Sequence, residues 1–380
     1  MAYQNSPKIV TSGLALCYDV NNAKSYIGEP TTNLVNPSWA AWTTDGSGQG
    51  NIGTRTINST YNCTITDSNS NTRQNIYIDS GITASTNYTF SVRYQKLTGT
   101  PTLRFQIQAY NSSTYISTIK FATTAELGIT DVFGWQTASI TLTTPASCNR
   151  ILWFMQDGDD YTTYTHSFML ENVQCEQKNH VTPFTPSSRS NTGSLLDLTR
   201  NYTLNLSAAG FDNNANLAFS ALSATVVDLN TQSLISGTNP FTIEAWYNLT
   251  GNGSYTGRAI LTNYGSGYTT NNLWFAEAGL YIGGNVYFDS YQSTMQGLNC
   301  IAATRDAAGN VKLYKNGNLV KTGTLTGSVP TNINWRIGAD VNGGGEAFNG
   351  YIYNVKVYNN VLTASEILQN FNATKSRFSL

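Results

Sequence analysis

The stretch GLALCYDVNNAKSYIGEP, Gly13 to Pro30, opens like a β-strand and then stops without a partner. Leu14, Leu16 and Tyr18 recur every second residue, the period of a strand with one face buried. The chain restarts at NLVNPSWAAW, Asn33 to Trp42, which reads as the first strand of something else. A segment able to continue the opening strand arrives only at LLDLTRNYTLNLSAAGF, Leu195 to Phe211. The order predicts one domain inserted into another. Residues 8–29 would be the first strand of the host, residues 30–188 the insert, and residues 189–380 the remainder of the host. Two punctuations mark the joins. IGEPTT at Ile27 to Thr32 is one, and TPFTPSSRSNTGS at Thr182 to Ser194, rich in Pro, Ser and Thr and without alternation, is the other. Insertion at a loop costs little when the ends of the guest lie close together.

Period-two patterns recur in YTFSVRYQKL from Tyr88, TLRFQIQAY from Thr102, QTASITLTT from Gln136, NVKLYKNGNLVKTG from Asn310 and YIYNVKVYNN from Tyr351. Asn316-Gly317, flanked by Val311, Leu313 and Leu319, is a strong two-residue hairpin signal. One helix is expected, at TASEILQNF, where Thr363 and Glu366 have capping-box spacing and Ile367, Leu368 and Phe371 form the apolar stripe. The expected class is therefore all-β, two antiparallel β-sandwiches with a short C-terminal helix.

Charged residues make up 11% of the 380, against about 25% in an average soluble protein. With 21 Lys and Arg against 22 Asp and Glu, the net charge of −1 provides no electrostatic footprint for nucleic acid or an anionic membrane, and neither is expected as a partner. Membrane insertion is not expected either, since no window reaches the roughly 18 apolar residues of a span. Cys17, Cys63, Cys148, Cys175 and Cys300 are scattered without CxxC spacing and read as free, buried small hydrophobes. The N-terminal MAYQNSPKIV lacks a basic region followed by an apolar run, so synthesis in the cytoplasm without Sec export is expected.

Two resemblances add to this reading. NPFTIEAWYN, RAILTNYG, NCIAATRDAAGNVKLYKNGNLVKTGTL, NWRIGADV and above all FNGYIYNVKVYNNVLTASEI resemble the LamG, or concanavalin A-like lectin/glucanase, family, and GLALCYDVNNAKSY fits the strand preceding the core of such domains. Residues from about Thr31 to Ser188 resemble carbohydrate-binding-module-like jelly rolls, through NLVNPSWAAW, SGITASTNYTFSVRYQKLTG, GWQTASITLT and FMLENVQCEQKNHVTPFTPSSRS. The closing pattern resembles tail-fibre and surface proteins of tailed-phage virions. The combination implies a phage structural protein made in the host cytoplasm: a head decoration, head fibre or tail-fibre component. Other capsid or tail proteins and copies of itself are the implied partners, together with host-surface glycans. A glycan-processing enzyme or its binding module, and a bacterial lectin or adhesin, are the alternatives.

Catalysis is not expected. Laminarinase-type relatives in the concanavalin A-like family carry E-x-D-x-x-E on one strand, because retaining hydrolysis needs two carboxyls about 5 Å apart. Here Glu244 stands alone in TIEAWYN, Asp157, Asp159 and Asp160 crowd a turn, and His166 and His180 accompany no GxSxG elbow. No cofactor is expected beyond one structural Ca²⁺, which the jelly-roll resemblance implies near Asn33 and Glu171. Glycan binding needs exposed ring faces beside carboxamides. Trp39 and Trp42 are candidates near the insert's first strand. NYGSGYTTNNLW supplies Tyr264, Tyr268 and Trp274 for stacking and Asn263 and Asn271 for hydrogen bonds, whereas Trp135, Trp153 and Trp246 are expected in cores.

Overall fold

The computed structural model describes residues 8–46, 53–68, 72–99, 102–130, 132–157, 165–207, 209–212, 214, 216–220, 225–251, 258–263, 272–288, 295–339 and 347–378. The chain forms two compact units: Met1–Glu29 joined with Ser190–Leu380, and Pro30–Arg189. Both are antiparallel β-structures.

In the split unit one sheet runs Gly210–Phe211, Leu217–Ser220, Asn349–Tyr358, Phe241–Leu249, Gly297–Arg305, Asn310–Lys315, Asn318–Thr324, and Leu14–Asp19 also pairs with Asn349–Tyr358. Leu16 lies opposite Val357 and Tyr18 opposite Val355. The second sheet runs Asn205–Ser207, Val226–Asp228, Arg336–Ile337, Ala259–Thr262, Trp274–Ala276, Gly279–Tyr281, Asn285–Tyr287. Alternation explains the core: Leu16, Ile243, Ala245, Ile301 and Val355 from the first sheet meet Leu261, Phe275, Leu280 and Ile337 from the second. Asp197 fastens the opening strand to the returning chain. Its carboxylate accepts hydrogen bonds from the Cys17 amide at 2.9 Å, the Thr199 hydroxyl at 2.6 Å and the amides of Thr199, Asn201 and Tyr202.

The outer face of the larger sheet is covered by the helix Ala364–Thr374. Its capping box is complete, with the Thr363 side chain accepting from the Glu366 amide and the Glu366 side chain accepting from the Thr363 amide. Beneath it Val10, Tyr314, Tyr358, Leu362 and Ile367 form a smaller apolar cluster. The Asn316-Gly317 turn has φ of 50° and 82°, the left-handed pair that a two-residue hairpin requires.

The continuous unit is a sandwich of two five-stranded sheets. One runs Gly134–Thr143, Asn87–Thr98, Thr165–Glu176, Asn62–Ser68, Thr54–Ser59; the other runs Thr43–Gly46, Thr72–Ile78, Arg150–Asp157, Leu103–Asn111, Thr114–Ala122. Phe90, Val92, Tyr94, Phe168 and Leu170 from the first pack against Ile78, Phe105, Ile107, Ile151 and Trp153 from the second. All five cysteines are free and buried, and burial pushes the Cys17 and Cys63 thiols up to about 12, which keeps them as unreactive thiols at neutral pH. No helix among the described residues is long and apolar enough to cross a membrane.

Candidate functional site

The outer face of the second sheet of the continuous unit is built by parity. Ile76, Ile78, Ile107, Ala109, Ile151 and Trp153 point into the core, so the intervening residues point out. Cross-strand register sets these in rows: Arg150, Tyr110 and Tyr115; then Tyr77, Leu152, Gln108 and Thr118; then Asn75, Phe154, Gln106 and Phe121; then Arg73, Gln156 and Arg104. Two bulges in Thr114–Ala122 shift its register, so that Thr118 joins Tyr115 and Phe121 on the outer face while Ile116 and Ile119 pack against the core.

The rings form a connected cluster. Tyr77 meets Tyr110 edge-on at 5.9 Å, and Tyr110 meets Tyr115 edge-on at 5.7 Å. The Arg150 guanidinium lies 3.7 Å from the Tyr77 ring centre while pairing with Asp79, and Arg73 lies 5.0 Å over Phe154. Tyr77, Tyr115 and Phe121 are 41%, 52% and 39% exposed. The Tyr110 hydroxyl donates to Gln108 Oε1 at 2.9 Å, and the Tyr115 hydroxyl shares a hydrogen with Thr118 at 3.0 Å. Burial, with Tyr77 next, pushes the Tyr110 phenol above its usual value, so it remains a neutral donor. Ring faces beside carboxamides and guanidinium groups suit the apolar CH faces and hydroxyls of a saccharide.

The residues expected from sequence lie elsewhere, and several are corrected. Trp39 and Trp42 are 0% and 2% exposed; their rings meet at a tilt with centres 5.4 Å apart, Trp42 meets Trp153 edge-on at 5.6 Å, and the Trp42 indole donates to the Asn36 carbonyl. They are core, with no face to offer a sugar. Asn263 is buried; its Oδ1 accepts from the Leu273 amide at 2.8 Å and its Nδ2 donates to the Pro330 carbonyl at 3.2 Å. It braces a loop and has no open face. Tyr264, Tyr268 and Asn271, like Asp159 and Asp160, lie outside the described residues. Trp274 is half-buried opposite Tyr281, beside a water-sized hollow that Tyr287 also lines.

The calcium expectation does not fit the residues. Both lone pairs of Asn33 Oδ1 are taken by the amides of Val35 and Cys175, and its Nδ2 donates to the carbonyls of Val173 and Thr185. Glu171 pairs with Arg93 at 2.5 Å and accepts from Asn62 at 3.2 Å. Glu244 is sealed beneath the helix, bound by Lys356 Nζ at 2.5 Å and Asn370 Nδ2 at 3.0 Å. Trp153 and Trp246 are fully buried, as expected of core residues. Trp135 is not core: it is half-buried on an outer face, with the Arg93 guanidinium 4.8 Å from its ring centre. Sequence reasoning missed the Tyr77, Tyr110 and Tyr115 cluster, although their parity against Ile78 and Ala109 was readable.

Residues 222–368 match the Laminin_G_3 family model, described as the concanavalin A-like lectin/glucanases superfamily. No curated protein matches the chain. Similar solved structures include domain 4 of AbnA, an extracellular arabinanase from Geobacillus stearothermophilus in complex with arabinotriose, at 16% identity and TM-score 0.34, covering 48% of this chain and 92% of that one. The enzymatically active domain of tailspike protein 4 of bacteriophage CBA120 is similar at 12% identity and TM-score 0.30, covering 38% and 21%. Trypanosoma rangeli sialidase is similar at 15% identity and TM-score 0.36, covering 48% and 31%. The family match supports a laminin G, concanavalin A-like domain within the split unit.

Proposed function

We propose that this chain is a non-enzymatic structural protein of a phage particle surface, a decoration or fibre component, that binds host-surface glycans through the Tyr77–Tyr110–Tyr115 face. The observation that carries glycan binding is the exposure of three aromatic side chains beside Gln106 and Gln108 on one rigid sheet. A particle-surface role is supported by the resemblance of FMLENVQCEQKNHVTPFTPSSRS and of the jelly-roll and LamG pairing to tailed-phage structural proteins. The non-enzymatic part rests on Glu244, whose carboxylate is spent on Lys356 and Asn370. Single sites of this kind bind weakly, and many copies on a particle compensate through avidity.

The test displays the protein on beads at high density and measures retention on host-cell polysaccharide. Tyr77→Ala with Tyr115→Ala should lower retention several-fold while leaving thermal unfolding unchanged; equal retention refutes the face as the binding site. Mass spectrometry of purified particles should find the chain in fixed stoichiometry, and its absence there refutes the particle role.

A further inference from the structure

The other sheet of the continuous unit carries a hollow of about 270 Å³, lined among others by Ser91, Arg93, Thr137, Asn172, Pro183 and Phe184. Its floor follows from parity: Val92 and Tyr94 face the core, so Ser91 and Arg93 face outward, opposite Ser139 and Thr137. Its wall is the segment 181–184, fastened by buried polar groups. Gln174 Nε2 donates to Glu176 Oε1 at 2.9 Å and Gln174 Oε1 accepts from the Thr185 amide at 2.9 Å. Glu176 also accepts from the Thr182 amide at 2.9 Å and hydroxyl at 2.7 Å. With every partner satisfied, this network holds the wall in one position.

Two observations mark the hollow as more than a packing gap. The register of Thr165–Glu176 slips between Glu171 and Gln174, and Asn172 there adopts φ of +58°. Asn enters that left-handed conformation more readily than most residues with a side chain, and bulges of this kind re-aim side chains. The second observation is unspent hydrogen-bonding capacity. Ser91 is 4% exposed, Asn172 is half-buried and Thr137 is exposed, and their side chains form no hydrogen bond among the described residues, which leaves their polar atoms to solvent or a ligand. The Ser91 hydroxyl is not sealed from solvent, so a solute entering the hollow can reach it.

We propose that this hollow is a second glycan site, one that takes a single neutral pyranose unit. Ser91, Thr137 and Asn172 each offer a donor and an acceptor, the combination that vicinal hydroxyls need. Phe184, held edge-on to Tyr61 at 5.5 Å, forms an apolar wall with Pro183 for the CH face of the ring. Arg93 is neutralised by Glu171 at 2.5 Å and seated over Trp135, so it provides N–H groups without a net charge. An acidic sugar would have to compete with Glu171 and gains nothing from the uncharged remainder. The volume lies just under the ~300–1,000 Å³ of drug-sized pockets, which matches a monosaccharide.

The site extends the glycan reading but does not depend on the Tyr77 face, and the experiment keeps the two apart. Full-length protein carrying Tyr77→Ala and Tyr115→Ala is titrated with methyl glucoside, methyl mannoside, methyl galactoside and glucuronate, followed by saturation-transfer NMR. At least one neutral glycoside should bind with a Kd of about 1 mM. Binding should weaken at least tenfold on adding Ser91→Ala, which removes only the hydroxyl, or Asn172→Gly, which keeps the backbone conformation without the amide. Thermal unfolding identifies a variant that has lost its fold, in which case the other one decides. The proposal is overturned by no binding of any neutral glycoside, by binding indifferent to both substitutions, or by a preference for glucuronate. Each of those results leaves the Tyr77 face untouched.

Discussion

The outer faces of two sheets, one in each unit, use similar side chains to opposite ends. In the split unit Glu244, Trp246, Lys356 and Tyr358 lie under a helix: Trp246 stacks on Phe371 at 5.6 Å and Phe378 at 4.3 Å, and its indole donates to Thr374. In the continuous unit Tyr77, Tyr110, Arg150 and Phe154 occupy the equivalent kind of surface, and part of it stays open to solvent. Aromatic and charged residues at alternate positions therefore do not announce recognition. What decides is whether another segment of chain seals them, and the sealed set becomes a stability element with little freedom to bind.

The most severe way to break this comparison is to remove one partner of the sealed set. Burial is the largest influence on the Lys356 pKa and pulls it down, but the Glu244 carboxylate together with Cys17, Cys300 and Tyr358 more than offsets it and leaves the lysine above its usual range. A raised lysine pKa contributes stability that is fully present below the unfolded value and disappears only at strongly alkaline pH, so the pair is constant across the neutral range. Lys356→Met leaves Glu244 buried without a counter-charge and should cost about 3–5 kcal/mol by chemical denaturation. Adding Glu244→Leu should recover much of that loss; no recovery would mean that Asn370 depends on the carboxylate more than the lysine does.

Next in size is Trp42→Ala, expected to cost about 3–5 kcal/mol by opening a cavity beside Trp153. It sharpens the correction at Trp39 and Trp42, because a tryptophan that bound glycan from the surface would unfold at nearly the wild-type temperature when replaced. A smaller effect, about 1 kcal/mol, is expected for Thr363→Ala at the helix cap. Hydrogen bonds from the Thr363 amide and then its side chain hold the Glu366 carboxyl below its usual 4.5. That contribution is present above pH 4.5 and lost as pH falls through the lowered value, so the Thr363→Ala deficit should shrink in acid unfolding experiments. Smallest for stability is Tyr115→Ala, within about 0.5 kcal/mol, as for surface positions generally. A larger loss would show that the open face is held as firmly as the sealed one.

Much of the architecture was legible because it rests on local rules. Leu14, Leu16 and Tyr18 declared a strand by period, the 363–366 spacing declared the cap, and Asn316-Gly317 declared the turn. Trp135 was legible and misread: Ala138, Ile140 and Leu142 point inward, so the odd-numbered Trp135 had to face out. Trp39 could not be read the same way, since Trp39–Ala41 is a 3₁₀ turn and offers no alternation. The sealing of Glu244 was also hidden. It depends on a lysine and a helix far along the chain, and no single window of sequence contains all three.

The pairing of Leu14–Asp19 with Asn349–Tyr358 has a kinetic consequence. Every ladder of the continuous unit closes among residues 31–189, whereas the sheet of the split unit joins positions near residue 16 to positions near residue 357. Contacts so distant along the chain carry a large loop-closure cost and form slowly. During synthesis the opening strand has to wait, with its backbone groups unpaired, while the 31–189 ladders gain all their partners first. The split unit is thus expected to mature last, and its exposed early strand is the piece most in need of protection from aggregation in the interval.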